Sequence, residues 1–250
     1  MIISGELAEI AIVASKIIAG FVIGYVVASY IESYMHQNVS DAQMKRVKKW
    51  KKHPKLFWYL IRTHYSHHVI HHVKTFKKDY VTQFRNEEEK LALDKELDTK
   101  GAHGEIIKKS RYAVKLHGSG SLVFVAPLLP AIPLFSYTLG AWSLLGAVVA
   151  LSLPPIFSNY IHQYLHMPHE KAINTAPPFI AWLLKTEYFK AVARNHFMHH
   201  RYMVGNFNLV LGGDILRGVN RKPTEQDIQR MIDIGLPVTE KQINLVQQAA

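Results

Sequence analysis

Apolar residues are gathered into blocks along this chain. The first block, residues 7–31 (LAEIAIVASKIIAGFVIGYVVASYI), is apolar almost throughout. It is long enough to cross a bilayer, whose core takes about 20 such residues. Glu9 and Lys16 fall in its first half. No basic stretch precedes it and no small-x-small exit follows, so it reads as a retained span and not a cleaved leader. A second block covers 121–161 and is long enough for two spans, 121–138 and 141–161, joined near Gly140. Pro127, Pro130 and Pro133 would kink the first of these, and Pro154 and Pro155 the second. Helices fit this block better than strands, because proline removes ladder donors.

The polar stretch 41–119 holds 19 of the 30 Lys and Arg, beginning with KRVKKWKK at 45–52. By the positive-inside rule this loop is cytoplasmic, with the N-terminus outside. The hairpin then returns the chain to the cytoplasm near residue 162, where the C-terminal part 162–250 stays. Within the loop, RNEEEKLALDKEL (85–97) has the pattern of an amphipathic, salt-bridged helix. KLFWYLI (55–61) and PPFIAWLLKTEYF (177–189) are too short to span and read as interfacial or half-buried helices. The expected architecture is an all-α integral membrane protein, one membrane-embedded domain over 1–250. It has about three to four spans and a cytoplasmic helical cap.

Composition narrows the chemistry. There is no Cys, which excludes disulfides, thiolate metal sites, iron–sulfur clusters and cysteine nucleophiles. The net charge of +11 calls for an acidic partner or surface; anionic lipid accounts for it, and no nucleic-acid module is present. Histidine is the distinctive residue. The figure H-x-x-H-H occurs at His64–His67–His68 and again at His196–His199–His200, and HQYLH places His162 and His166 four apart. His36 follows the first span. All of these fall on the expected cytoplasmic face. On a helix, positions i, i+3 and i+4 share one side, so each figure presents its imidazoles together. Nine histidines are too many for one metal and about right for two, and imidazole suits Fe, Zn, Cu and Ni alike. His53, His103 and His117 read as surface or satisfied residues, and His71 and His72 as a solvated extension of the first figure. His169, after the helix-breaking Pro168, stays open.

These residues resemble the fatty acid hydroxylase superfamily of integral-membrane di-iron enzymes, over about 30–218. In that family the first motif reads E-x-x-x-H-x-x-x-x-H; here ESYMHQNVSD runs from Glu32 through His36 to Asp41. H-x-x-H-H follows at 64–68, then HQYLH with MPH after it, then HFMHH preceded by EYFKAVARN. GNFNLVLGGDILRG (205–218) is close to the family's tail. The resemblance implies a dimetal site of two non-haem iron ions held by His36, His64, His67, His68, His162, His166, His196, His199 and His200, with no catalytic residue beyond the ligands. It implies O₂ as co-substrate and hydroxylation, or desaturation, of a lipid or fatty-acyl-like substrate. One position departs: the family's second histidine is Asp41 here. Asp41 then replaces that imidazole, or orients a neighbouring ligand, or merely starts the basic loop as a helix cap, in which case the site is one ligand short or His71 or His72 substitutes.

Electrons must come from outside, since the chain has no nucleotide-binding glycine turn, flavin signature or haem motif. A ferredoxin or cytochrome b5-type donor with an acidic face, fed by a reductase, suits the basic surface. The rival reading is a membrane zinc transport or sensing protein. Transport sites usually lie inside spans on broken helices, whereas these histidines lie at span ends or beyond. A zinc protease is disfavoured because H-E-x-x-H is absent.

Overall fold

The first helix, Ile2–Met35, contains no proline and continues into a π-helical turn at His36–Ser40. The computed structural model describes residues 2–115 and 122–249; His117 and the first residue of the expected span at 121 lie outside the described residues. Leu7, Ile10, Ile18 and Val22 point outward from the first helix with more than half of their surface exposed. Its inner face packs against the helix Ala141–Leu151, and small residues set the distance. A Cβ on Gly20 would lie 2.0 Å from the Ser143 carbonyl oxygen, and one on Gly146 would lie 1.9 Å from that of Ile17. Such close backbone approach through small residues is how helices associate where lipid offers no hydrophobic drive.

Among the described residues two helices are long and apolar enough to cross a membrane, Glu6–Ser40 and Ala141–Leu165. The apolar stretch between them is shorter, Val123–Leu139. Pro127 and Pro130 break it into Leu122–Val125, a 3₁₀ turn at Ala126–Leu128, and Ala131–Leu139. The junction falls at Gly140, whose φ of 82° suits a residue without a Cβ. Beyond Pro154 and Pro155 the second long helix passes through a π-helical turn at Phe157–Ile161 before His162–Leu165.

The remaining helices lie between these two in the chain or after the second. Met44–Trp50 buries Val47 and Trp50, and Pro54–His64 leaves Leu56 and Trp58 outward. Glu87–Asp98 takes its N-cap from Asn86, whose side chain accepts from the Glu89 N–H at 2.8 Å, and buries Leu93 and Leu97. This agrees with the expected amphipathic helix. The stretch 177–189 is not one helix: Pro178–Leu184 ends, and Thr186 caps a new helix, Glu187–Tyr202, by accepting from the Phe189 N–H. A threonine with a β-region backbone there starts the second helix and so ends any continuation of the first. Among the described residues there is no strand, and the fold is all-helical.

The tail after Glu187–Tyr202 is tied to the first helix by polar contacts. Glu32 accepts from the Leu209 and Val210 N–H groups at 3.1 and 2.9 Å and from Asn208 Nδ2 at 3.0 Å. Ser29 donates to the Val210 carbonyl, and Ser33 to Asp214, at 2.6 and 2.7 Å. A Cβ on Gly213 would lie 2.1 Å from the Ser29 carbonyl oxygen. These contacts carry residues 205–210 to the end of the span where the histidines gather.

Candidate metal centre

Among the described residues, two groups of five side chains could each hold a metal ion. One is His36, Asp41, His67, His72 and His199; the other is His71, His162, His166, His196 and His200. In each, one ligand-capable atom per residue lies within 4.8 Å of all the others. The groups adjoin: the rings of His72 and His200 are 4.1 Å apart at their centroids, and His71 and His72 are neighbours in sequence.

Backbone geometry explains which histidines arrive. Tyr65–Lys74 is π-helical, with the Thr75 N–H bonded to the carbonyl of Ile70, five residues back. In such turns residues five apart come onto one side, a geometry found mostly at functional sites. His67 and His72 are five apart and join one group. His36 and Asp41 are also five apart, across the π turn in which the Asp41 N–H bonds to the His36 carbonyl at 2.8 Å. In the α-helix Glu187–Tyr202, His196 and His200 lie one turn apart and serve the second group, while His199 between them turns to the first.

The structure corrects the expectation for His71 and His72 and places His64 and His68 outside both groups. RTHYSHHVIHH contains H-x-x-H-H twice, in overlapping registers. The structure brings in His71 and His72 of the second register, and their side chains are 0–1 % exposed, not a solvated extension. His64 of the first register, and His68, which the two registers share, belong to neither group. Their rings stack at 4.9 Å; His64 Nδ1 faces the Ser40 carbonyl at 3.2 Å, and His68 Nδ1 lies 3.0 Å from Asp41 Oδ1. The α-helical spacing used to choose the register does not hold in a π-helix. The other seven expected histidines are all present in the two groups. His169 begins a new helix after Pro168 and joins neither. His53 is exposed; His103 is half-buried, with Nε2 3.1 Å from Ser66 Oγ.

The donor set fits metal binding. Four ring nitrogens have a carbonyl as partner: His36 Nδ1 donates to Phe207 at 2.6 Å, His162 to Val114 at 2.6 Å, His166 to Tyr80 at 3.0 Å and His199 to Gly205 at 3.0 Å. A carbonyl cannot donate, so each of these rings keeps its proton on Nδ1 and turns an Nε2 lone pair inward. Those atoms crowd together. His162 Nε2 and His166 Nε2 lie 2.7 and 3.0 Å from His196 Nε2, which has at most one proton to give. Both nitrogens of buried His71 and Nε2 of His200 have no hydrogen-bond partner. Converging lone pairs with too few protons between them are costly without a cation. The carbonyls that orient the rings belong to Tyr80, Val114, Gly205 and Phe207, and no side-chain pattern in the sequence points to them.

Burial, with neighbouring imidazoles, pushes His71, His72, His196 and His200 well below the usual histidine value, and burial brings His166 to about 3. These rings are therefore neutral and able to ligate at ordinary pH. Burial alone would raise Asp41, but His72, His67, His199 and His36 around it hold it well below the usual carboxylate value. Its Oδ2 lies 3.2 Å from Nε2 of both His36 and His199. The first group thus contains an ionised carboxylate and the second contains none.

A cavity of about 130 Å³ reaches both groups, touching His36 and His67 of the first and His162 and His196 of the second. Ile107, Val123, Phe124 and Leu209 line it, and Trp58, Arg62 and Ile106 are exposed side chains in its wall. No family model matches the sequence, and no curated protein or solved structure matches it.

Proposed function

We propose that this chain is a membrane-bound non-haem di-iron oxygenase that hydroxylates, or desaturates, a lipid or fatty-acyl-like substrate. The observation that carries the reading is the pair of adjoining five-ligand groups at one end of two apolar helices, both open to one mostly apolar cavity. The resemblance of the histidine motifs to the fatty acid hydroxylase superfamily supports it. Two iron ions held there would supply the O₂ activation that oxidation of an unactivated C–H bond requires, with electrons from a ferredoxin or cytochrome b5-type donor and its reductase.

The chain's own part is positional. Four backbone carbonyls hold ligating rings in one tautomer and orientation, which raises their basicity toward a metal. Asp41 offsets part of the cationic charge. The apolar cavity wall excludes water and keeps a hydrocarbon segment against the two groups. With Glu6–Ser40 and Ala141–Leu165 crossing the membrane, the centre would lie at the membrane boundary, and the basic residues of 45–52 support the cytoplasmic side for it.

Elemental analysis of iron-replete protein tests the metal reading: two metals per chain are expected, and one or none refutes it. Lipid mass spectrometry of cells with and without the protein tests the chemistry. A product heavier by one oxygen, or lighter by two hydrogens, is expected only with the intact chain.

A further inference from the structure

The cavity has a polarity that the metal centre alone does not require. Its inner end is made by buried histidines, and its outer end by exposed Arg62 and half-exposed Trp58, with partly buried Lys115 also in the wall. Arg62 sits over the Trp58 ring, 5.1 Å from its centroid. Glu32 is the one carboxylate in the lining, and both its oxygens are committed to Asn208, Leu209 and Val210. Among the described residues, neither Arg62 nor Lys115 pairs with a carboxylate. His103, also in the lining, is brought to about 4 by burial, with Arg62 and Lys100 adding to the effect, so it is a neutral hydrogen-bonding group. Its partner Ser66 and the nearby Thr63 add hydroxyls to the same wall.

We infer that the cavity takes an amphiphile with an anionic head, a carboxylate or a phosphate, which docks on Arg62 and Lys115 while its hydrocarbon segment runs inward to the two histidine groups. This rests on the proposed function and adds to it the class of substrate. An exposed arginine at the mouth of a hydrocarbon cavity is poor design for a neutral ligand, because the guanidinium must then be partly desolvated without a counter-charge. For an acidic amphiphile the same residue supplies a forked donor pair matched to carboxylate and phosphate alike. A cavity of about 130 Å³ is below the roughly 300 Å³ of sites that engulf a whole small molecule. It therefore encloses a limited stretch of chain, and the head remains near the mouth, where the cations are.

The test uses the full chain, metal-loaded and in neutral detergent, with Trp58 at the mouth as reporter. The probes are 9,10-dibromostearic acid, its methyl ester, and the corresponding dibromostearyl phosphate, whose bromines quench nearby tryptophan; Trp58→Phe supplies the blank. The acid or the phosphate should bind about tenfold tighter than the ester. Arg62→Gln and Lys115→Gln should each remove about threefold to fivefold of that preference, the size of a partly exposed charge pair. Lys52→Gln, on the exposed basic stretch, should leave it unchanged. Tighter binding of the acid than of the phosphate would assign a free carboxylate, and the reverse a phosphate head group. Equal affinity for acid and ester, or a preference untouched by Arg62→Gln and Lys115→Gln, would overturn the head-group inference and leave the lipid reading intact. If no probe quenches Trp58 in a chain holding two metals, no hydrocarbon enters the cavity, and both the inference and the proposed substrate fail.

Discussion

The two overlapping H-x-x-H-H registers give opposite expectations, and His72→Ala against His64→Ala decides between them. His72 Nε2 lies 2.9 Å from His67 Nε2, 3.1 Å from His199 Nε2 and 3.7 Å from Asp41 Oδ1, inside the first group. His64 faces the Ser40 carbonyl and stacks on the His68 ring, outside both groups. A structural zinc site of four ligands is worth about 10–16 kcal/mol, or roughly 2.5–4 kcal/mol per ligand. Loss of one ligand should then weaken the first group by about 10²- to 10³-fold. His72→Ala is expected to lose one metal of two on challenge with a chelator chosen to leave the unaltered chain loaded. His64→Ala should keep both. His68→Ala, which removes a contact to Asp41 at 3.0 Å, should weaken the first group by about 10–100-fold, as for a group that orients a ligand. Metal content by elemental analysis before and after the challenge reads all three. If His64→Ala loses a whole metal while His72→Ala keeps both, the assignment to the second register is wrong.

Replacing Gly146 with Val should separate the two long helices, because even its Cβ would lie 1.9 Å from a backbone oxygen that has no room to move; a loss of about 1–3 kcal/mol or more, read as a lower thermal midpoint in detergent, is expected. Asp227 would be raised by burial, but hydrogen bonds from Thr224 and Tyr202 and the contact with Arg201 outweigh that and lower its pKa. Its stabilising contribution is thus fully present above the unfolded carboxylate value of about 3.9 and fades as pH falls through the lower folded value. Asp227→Asn should cost about 1.5–3 kcal/mol at pH 7, with the gap to the unaltered chain closing below about pH 4; a gap constant across pH would refute the linkage. Turnover limited by a separate electron donor should fall as salt rises from low to physiological strength, where charges are screened beyond about 8 Å; turnover indifferent to salt would remove the basic surface from donor recruitment.

Much of the helical architecture was legible because it depends on local rules. The apolar run 7–31, the break at Gly140 and the Asn86-capped helix all follow from side-chain type and spacing along one segment. Asp41 was legible too, as a carboxylate five residues after His36. Two kinds of feature were not. Gly20 and Gly146 matter through the backbone that faces them, which sequence spacing in one helix does not reveal. The orienting carbonyls of Tyr80, Val114, Gly205 and Phe207 carry no residue identity at all. Tyr80 and Val114 lie in the loop before the second apolar block, Gly205 and Phe207 in the tail, and tertiary packing alone decides that they meet His166, His162, His199 and His36.

The difference in register has a more specific cause, and it bears on how one chain forms two groups that could each hold a metal. An α-helix puts i, i+3 and i+4 on one face, so a reader of that period sends His64, His67 and His68 to one metal. The chain instead widens the helix at 65–74, and at 36–40 and 157–161, each time beside a ligand-capable residue. Each widening costs hydrogen-bond geometry, which is why π turns are rare outside functional sites. What it gains here is partition. His71 and His72 are consecutive, yet one faces the neutral group and the other the group that contains Asp41. In a regular α-helix, consecutive side chains diverge by about 100°, and His67 and His72 would point well apart. The π-helical turn brings His67 and His72 into register and leaves His71 free to reach across to His162 and His166, with ring centroids 5.0 and 4.9 Å away. The α-helical Glu187–Tyr202 makes the complementary division, with His199 on one side and His196 and His200 on the other. Two helices of different pitch thus each carry ligand-capable residues of both groups.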